Sequence, residues 1–299
     1  MAYQGKVRQA ADDRAFDIIV NVTVILITLL AVYPLYFVIL ASISDPYATA
    51  SGKTLLMPVK PTLEGYNHIL HYRKIWTGYG NTIIYTLGSA LVGVSVTTLA
   101  GYSLSRQDLV GRNFFMKLFV FTMYFSGGIV PLYLVMKGLT LINTRMVVIL
   151  LGGFSAYNLV VARTFFVSKL PTELYEAASV DGCGNGRFFF RIVLPLSKEI
   201  VTVLVLYYAV SQWNSYFNAM IYTTKPALQP LQLVLRDILI NAQTMTTDGL
   251  TAEELAEQQR LAETTKYGVM VVSSLPVLVA YPFLQKFFIN GVMIGSVKG

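Results

Sequence analysis

The sequence is poor in charged side chains and in the residues from which disulfides and metal sites are built. Only 13% of its 299 residues are charged, whereas a soluble globular domain carries roughly 25%. A single cysteine, Cys183, excludes an internal disulfide and any zinc site made of paired cysteines. The two histidines, His68 and His71, have no obvious ligand partners and are interpreted as solvated loop residues. The deficit of charge indicates a membrane protein.

The sequence contains several long runs of apolar residues. Hydrophobic residues make up 55% of the chain, and the mean hydropathy is +0.57. A helix needs about 20 largely apolar residues to cross the hydrocarbon core of a bilayer. Six segments meet this requirement, so we predict a cytoplasmic segment over residues 1–17 and a six-helix transmembrane domain over residues 18–299. The predicted spans are 18–41, 81–103, 115–136, 146–167, 200–222 and 267–289.

The distribution of positive charge predicts how these spans are oriented. Lys and Arg are denser in residues 1–17, in the loops 104–114 and 168–199, and at the C-terminus than in the opposite loops. By the positive-inside rule these segments and both termini are cytoplasmic. The first apolar run exceeds the core of a typical signal peptide, so we expect an uncleaved, multi-pass protein of the cell (inner) membrane. The net charge of +7 forms no basic stripe, which argues against a nucleic-acid partner.

No Asp or Glu lies inside any of the six predicted spans. Carriers driven by protons or sodium commonly place carboxylates in the membrane, where they bind the coupling ion. An intramembrane hydrolase likewise needs paired carboxylates, or a nucleophile with a base. The absence of carboxylates therefore argues against both classes.

The loop 168–199 contains a short segment with helix signals at both ends. Pro171 suits the first turn of a helix, and Gly182 can end the helix in the left-handed conformation. These signals predict a helix of about two to three turns, which is too short and too polar to cross the membrane. A low-relief apolar face favours docking in a groove of a partner protein over an incidental connector. That face comprises Leu174, Ala177, Ala178 and Asp181.

Residues in and after this segment follow a known spacing. Glu176-Ala177-Ala178 is followed after three residues by Gly182, and nine residues later by Ile192, one residue, and Leu194-Pro195. This pattern resembles the EAA loop of ABC importer permeases. In that family the loop is a cytoplasmic helix that docks into a groove on a separate ATPase subunit.

Two further segments extend the resemblance over essentially the whole chain. They are Ser211-Gln212-Trp213-Asn214 and the C-terminal segment 291–299, and they are similar to the carbohydrate-uptake branch of the MalG/LplC-like type. The family favours an acidic residue soon after Trp-Asn, whereas this sequence has Ser215 and Tyr216. This departure leaves the role of the segment 211–214 open, but it does not affect the resemblance to the family.

The resemblance implies an all-α type I ABC importer permease fold with six transmembrane helices and a cytoplasmic EAA coupling helix. Such a subunit is not an enzyme and has no catalytic residue, cofactor or metal of its own, because ATP and Mg are bound by the partner ATPase. The implied partners are a second related permease subunit, two ATPase subunits, an extracytoplasmic solute-binding protein, a carbohydrate substrate and membrane lipid. The resemblance assigns ATPase coupling to Glu176, Ala177, Ala178, Asp181, Gly182, Ile192, Leu194 and Pro195. It assigns a C-terminal ATPase contact to Ser296, Val297, Lys298 and Gly299.

Aromatic and polar side chains inside the predicted spans are candidates for the solute path. Sugars stack on aromatic rings, while amides and hydroxyls bind their hydroxyl groups. The same residue types also form interfacial belts and interhelical hydrogen bonds, so both interpretations stay open at each position. The candidates are Tyr124, Phe125, Tyr157, Asn158, Tyr208, Gln212 and Trp213.

We therefore expect a permease subunit that translocates a sugar or oligosaccharide by ATP-driven alternating access. The alternatives are an ABC permease for a different solute class, a secondary transporter, and a membrane-anchored scaffold without a translocation path. The expected cargo is either a neutral or an acidic sugar, since the charge of the chain lies mainly in loops and favours neither. The last external loop, 223–266, is long enough to suggest a function, and in the resembling family it meets the binding protein.

Overall fold

The computed structural model describes residues 11–243, 260, 262–263, 265–279 and 281–282. Within these residues the backbone is mainly α-helical and contains no strand, which confirms the expected all-α class. The chain divides into two compact units. The first comprises Met1–His71 and Leu239–Val272, and the second comprises Tyr72–Ile238 and Ser273–Gly299.

The first unit is built on one long apolar helix. Helix α1 runs Ala11–Ser42 and is followed by two short helices, α2 at Pro46–Ala50 and α3 at Glu64–His71. The segment Phe16–Ser42 of α1 is 27 residues long and apolar enough to cross a membrane. Most of its large apolar side chains are exposed. Such a surface is stable only against lipid or another membrane helix, since burial of apolar area is what stabilises it.

The second unit begins with α4, Arg73–Ser105, a 33-residue helix that is also long and apolar enough to cross a membrane. The helices that follow are shorter. They are α5 (Arg112–Tyr124), α6 (Ile129–Gly138), α7 (Arg145–Gly152), α8 (Ala156–Lys169), α9 (Thr172–Val180), α10 (Asn185–Phe188), α11 (Leu194–Leu196), α12 (Lys198–Trp213) and α13 (Phe217–Tyr222). A π-helix, Phe189–Val193, joins α10 to α11, and a 3-10 turn forms at Pro226–Leu228. Two more helices, α14 (Leu231–Gln243) and α15 (Thr265–Val279), contribute residues to both units.

Three of the predicted spans are interrupted in the structure. Helices α5 and α6 meet at 116°, and α7 and α8 meet at 45°. Gly127 and Gly128, which interrupt the third apolar run in the sequence, occupy the first of these breaks, and Gly128 has a φ of +89°. Residues 214–216 separate α12 from α13. Non-helical backbone at membrane depth is tolerated where it is buried in protein or lines a cavity, so each break is a candidate cavity wall.

The number of membrane crossings stays a prediction. In the described part of the chain two single helices are long and apolar enough to cross, and there are up to four crossings if each bent pair forms one span. Helices α12 and α13 cover the fifth predicted span, and α15 covers the first part of the sixth. The rest of the sixth span, beyond residue 282, lies outside the described residues.

Helix α4 is the central element of the second unit and packs against α12, α8 and α7. Small residues let these helices approach closely. At Gly93 an added methyl group would lie 2.6 Å from the ring of Tyr208, and at Gly101 it would lie 3.0 Å from the Cβ of Ala162. The helix pairs therefore owe their spacing to the absence of a side chain at these two positions.

The first turns of α4 hold the connection that leads into α14. The Asn81 side-chain amide donates hydrogen bonds to the carbonyls of Ala227 and Gln229 at 2.8 and 3.0 Å. The buried Thr82 hydroxyl accepts the backbone N–H of Leu231 at 2.8 Å. These bonds pair two carbonyls and one N–H of the connecting segment that would otherwise lack a hydrogen-bond partner. The chain that follows the fifth predicted span is thus fixed to α4.

Candidate functional site

A cavity of about 470 Å³ lies where the fourth and fifth predicted spans are broken. We call it the polar cavity. Its walls are the end of α7, the start of α8, the second half of α12 and the residues that follow α12, and no residue in these walls is charged. The side chains that matter for its chemistry are Ser155, Tyr157, Asn158, Tyr207, Tyr208 and Gln212.

Tyr208 joins three helices at the edge of the polar cavity. Its hydroxyl is 2.6 Å from the Thr97 hydroxyl of α4 and accepts the backbone N–H of Ser155 at 3.2 Å. Ser155 is the N-cap of α8, and its hydroxyl accepts the backbone N–H of Asn158 at 3.4 Å. The ring of Tyr208 is 2% exposed and lies against Gly93. The cavity wall is therefore held by hydrogen bonds as well as by packing.

Two buried amides face the polar cavity. The side chains of Asn158 and Gln212 are 6% and 4% exposed and both line the cavity. Neither amide has a side-chain hydrogen bond to any group in the described part of the chain. Each amide therefore offers two donors and an acceptor to a ligand in the cavity. Gly152 leaves space for one of them, because a methyl group there would lie 2.0 Å from the Gln212 Oε1.

The structure brings four of the predicted solute-path residues together in the polar cavity: Tyr157, Asn158, Tyr208 and Gln212. The other three lie elsewhere. Tyr124 and Phe125 are 86% and 61% exposed at the break between α5 and α6. Trp213 is buried, and its indole N–H donates to the Ser273 carbonyl at 3.3 Å. The role of all seven residues in solute contact stays a prediction.

Helix α9 forms over the segment for which the sequence predicts a short cytoplasmic helix. Pro171 directly precedes its first residue, Thr172. The helix ends at Val180, and Gly182, which follows the C-cap residue Asp181, has a φ of +71°. The backbone N–H of Gly182 donates to the Ser179 carbonyl at 3.0 Å, and that of Cys183 donates to the Ala178 carbonyl at 2.9 Å. This pair of bonds is the Schellman arrangement, which requires a left-handed residue where Gly182 stands.

Two of the four residues of the predicted docking face of α9 pack against the rest of the chain, and docking of this helix to a partner stays a prediction. Ala178 is 9% exposed and packs in the core beside Phe188 and Phe189, and half-buried Leu174 packs against the same core. A short helix first buries its apolar side against its own chain. Burial within one chain does not carry the entropy cost that binding to a separate partner carries. Glu176, Ala177 and Asp181 are exposed instead.

The remaining coupling candidates follow α9 along the chain. Ile192 and Leu194 are half-buried against the core that contains Ala178, whereas Pro195 is exposed. The C-terminal candidates Ser296, Val297, Lys298 and Gly299 lie outside the described residues. The ATPase-coupling role of every residue in this group stays a prediction.

An arginine joins the end of α4 to α9 and α10. The Arg106 Nε donates to the Asp108 Oδ1 at 2.8 Å, and a second N–H donates to the other carboxylate oxygen. A further nitrogen donates to the Asn185 Oδ1 at 3.0 Å and to the Tyr102 hydroxyl at 3.2 Å. The guanidinium carbon lies 3.8 Å from the centre of the Tyr175 ring. We call these five residues the Arg106 cluster.

Electrostatics keep the Arg106 cluster charged. The hydrogen bonds to Asp108 raise the pKa of Arg106, and the same bonds hold the pKa of Asp108 below its ordinary value. The neighbouring Arg106 cation also lowers the pKa of the Tyr175 hydroxyl, which donates to the Asn185 Oδ1 at 2.9 Å. The sequence did not predict this cluster. The one local signal is the Arg-x-Asp spacing just after the second predicted span, since Asn185 is 79 residues away.

A second cavity, of about 400 Å³, separates the end of α4 from α9. We call it the arginine cavity, because Arg106, Arg112 and Arg163 all line it. Arg112 and Arg163 donate to backbone carbonyls at the end of α4, where cations complement the helix dipole. Glu176 of α9 lines the opposite side.

Residues 93–294 match the protein family described as binding-protein-dependent transport system inner membrane component. The chain belongs to this family. The resemblance to ABC importer permeases is thereby confirmed, and the permease is a transport component rather than an enzyme. Its apolar helices fit a multi-pass membrane protein.

Several known proteins are similar to the permease over most of their length. One is the polygalacturonan/rhamnogalacturonan transport system permease protein YtcP of Bacillus subtilis, 37% identical over 96% of this chain and 99% of that protein. Another is protein LplC of the same organism, 36% identical over 90% of each chain. A chain in the crystal structure of a bacterial ABC transporter that imports the acidic polysaccharide alginate matches with a TM-score of 0.83 and 30% identity, over 95% of this chain and 100% of that one.

Proposed function

We propose that this permease translocates a sugar or oligosaccharide that an extracytoplasmic solute-binding protein delivers, by alternating access driven by a separate ATPase. The observation that carries the proposal is the polar cavity, where two buried amides without protein partners meet tyrosine rings at the breaks of two apolar helices. Discontinuous membrane helices commonly form substrate sites in transporters. The names of the relatives, which refer to polygalacturonan/rhamnogalacturonan and to alginate, support a carbohydrate cargo.

The chemistry of the polar cavity suits a carbohydrate. Asn158 and Gln212 offer donors and acceptors for sugar hydroxyls, and the partly exposed rings of Tyr157 and Tyr207 offer surfaces on which a pyranose can stack. The walls contain no cation that would pair with a carboxylate. The cavity therefore recognises hydroxyl groups and ring faces, and it does not select cargo by charge.

We propose an acidic oligosaccharide as the cargo, because the solved structure at 30% identity belongs to an importer of an acidic polysaccharide. Uptake by proteoliposomes that contain the permease, its partner permease, ATPase and binding protein tests this point. A labelled oligogalacturonate should enter in an ATP-dependent manner, and a neutral maltooligosaccharide of the same length should not displace it, because the binding protein and not the polar cavity selects the cargo by charge. Uptake of the neutral sugar alone would contradict the proposal of an acidic cargo. Uptake without ATP would contradict the proposal of an ATP-driven importer.

Substitution of the two amides tests whether the polar cavity holds the cargo. Asn158→Leu and Gln212→Met keep side-chain size but remove the hydrogen-bonding groups. Each should raise the KM for uptake by about tenfold, since one lost hydrogen bond to a buried partner is worth about 1–3 kcal/mol. Thr164→Val is the matched control, because Thr164 lies on the same helix as Asn158 but bonds only the Val160 carbonyl of its own helix. An unchanged KM in both amide variants would remove the cavity from the solute path.

We further propose that α9 is the coupling helix and that both termini are cytoplasmic. Glu176, Ala177, Asp181 and Gly182 are the exposed members of the predicted coupling set on and just after this helix. Glu176→Lys should reduce copurification of the ATPase at least fivefold without affecting membrane insertion. Glu199→Lys, an equally exposed charge reversal in the same loop, should leave copurification unchanged. Equal loss in both variants would show that the loop charge, and not α9, binds the partner.

A further inference from the structure

Helix α9 is attached to the rest of the permease at only a few points. Helix α4 packs extensively against α7, α8 and α12, whereas no described helix packs along α9 in this way. The arginine cavity lies between α9 and the end of α4. The side chain of Arg106 bridges this gap, because it reaches the Tyr175 ring on α9 and the Asn185 amide on α10.

We propose that Arg106 is the positioning residue that holds α9 to α4 and transmits the displacement of α9 into the transmembrane helices. The inference rests on the proposed docking of α9 to an ATPase. It concerns a residue outside the EAA segment, on a different helix end, to which the sequence pattern assigns no role.

The geometry of Arg106 makes it a stiff link. Its side chain is 14% exposed, and its planar guanidinium bonds Asp108 at two points while a further nitrogen bonds Asn185 and Tyr102. A guanidinium stacked on an aromatic ring and bonded in its own plane has little freedom to rotate. A lysine carries the same charge but cannot make the same set of directed bonds. The link thus depends on arginine and not only on positive charge.

Helix α4 connects this link to the polar cavity. Thr97 lies nine residues before Arg106 in the sequence, about 13 Å along a helix axis. Its hydroxyl is 2.6 Å from that of Tyr208, whose ring lines the cavity and packs against Gly93. A movement of the end of α4 is therefore transmitted to a residue of the cavity wall by a rigid element and one short hydrogen bond.

The single cysteine of the permease reports on the link directly. Cys183 follows the C-cap of α9 and packs partly buried against the core. In detergent-purified full-length permease, Arg106→Lys and Arg106→Met should raise the rate of maleimide labelling at Cys183 at least fivefold, and Tyr175→Phe should raise it less. Arg187→Met removes an exposed positive charge four residues after Cys183 and should change the rate by less than twofold. Labelling of both Arg106 variants at the wild-type rate would overturn the inference.

The ratio of uptake to ATP hydrolysis shows whether Arg106 transmits the displacement of α9 or only holds α9 in place. In the reconstituted complex, Arg106→Lys should copurify with the ATPase within twofold of wild type, yet import at least fivefold less labelled oligogalacturonate per ATP hydrolysed. An unchanged ratio of uptake to hydrolysis in a variant with fast Cys183 labelling would overturn the role in transmission. If wild-type permease bound no ATPase, the proposed function would fail, whereas the labelling result would still decide whether Arg106 holds α9.

Discussion

Replacement of Gly93 by alanine should separate helices that the structure places in close contact. The added methyl group would lie 2.6–2.8 Å from three ring atoms of Tyr208, closer than non-bonded carbon atoms can approach. The backbone of α4 cannot yield easily, because α4 is packed on several sides. The ring of Tyr208 must therefore shift, and its hydroxyl then loses the contacts to Thr97 and Ser155.

The expected loss of stability follows from three contributions. Overpacking costs about 1–3 kcal/mol. Two weakened hydrogen bonds cost about 0.5–1.5 kcal/mol each. Alanine gains about 1 kcal/mol of helix propensity over glycine. The net destabilisation is on the order of 3 kcal/mol, which should lower the apparent melting temperature in detergent by about 5 °C or more.

Gly80→Ala is the matched control, because Gly80 is on the same helix and no atom lies within 4 Å of the added methyl group. It should melt at or slightly above the wild-type temperature. In a Tyr208→Ala background the methyl group of Gly93→Ala has room, so the second substitution should then cost nothing. Two results would refute the close contact between Gly93 and Tyr208. One is a Gly93→Ala variant that melts at the wild-type temperature, and the other is an equal loss of melting temperature in the Tyr208→Ala background.

Three further outcomes follow from other parts of the molecule. Gly182→Ala should destabilise the end of α9 by about 1 kcal/mol, because its φ is +71° and not because space is short, whereas Gly186→Ala should be neutral; hydrogen exchange at the amide of Cys183 measures the difference. Thr82→Val should cost about 1–3 kcal/mol by leaving the Leu231 N–H unpaired, and Thr77→Val, whose hydroxyl bonds its own helix, should cost little in the same melting assay. Asp108 has a pKa below the ordinary 3.8, so its pair with Arg106 is intact from pH 5 to 8 and weakens only as pH falls below about 4. The melting difference between wild type and Asp108→Asn should therefore be constant between pH 5 and 8 and should shrink towards pH 3; a difference that peaks near pH 7 would contradict this.

Local signals in the sequence predicted local structure well. The start and end of α9 depend on Pro171 and Gly182, whose conformational preferences act within a few residues. Gly127 and Gly128 interrupt the third apolar run of the sequence, and the structure breaks there. The family followed from the spacing after Glu176, since that pattern is long enough to be specific.

Long-range arrangements could not be obtained in this way. Arg106 meets Asn185 across 79 residues, and no periodicity relates the two positions. The face of α9 that packs inward was also not readable, because a small apolar residue such as Ala178 suits a partner groove and the permease core equally. The polar cavity was found in part: the aromatic and amide residues were visible, but only the breaks in α7–α8 and α12–α13 show which of them converge.

The hydroxyl of Tyr208 can form only a few hydrogen bonds, and those already made within the protein limit how many remain for a ligand in the polar cavity. A phenol has one proton and two lone pairs. The Ser155 N–H occupies one lone pair, and the short contact with Thr97 takes the proton or the other lone pair. One position at most remains for cargo. If the polar cavity holds the cargo, as proposed, Tyr208 presents mainly its ring and at most one hydrogen-bonding position of its hydroxyl, and most hydrogen bonds to the sugar come from the amides of Asn158 and Gln212.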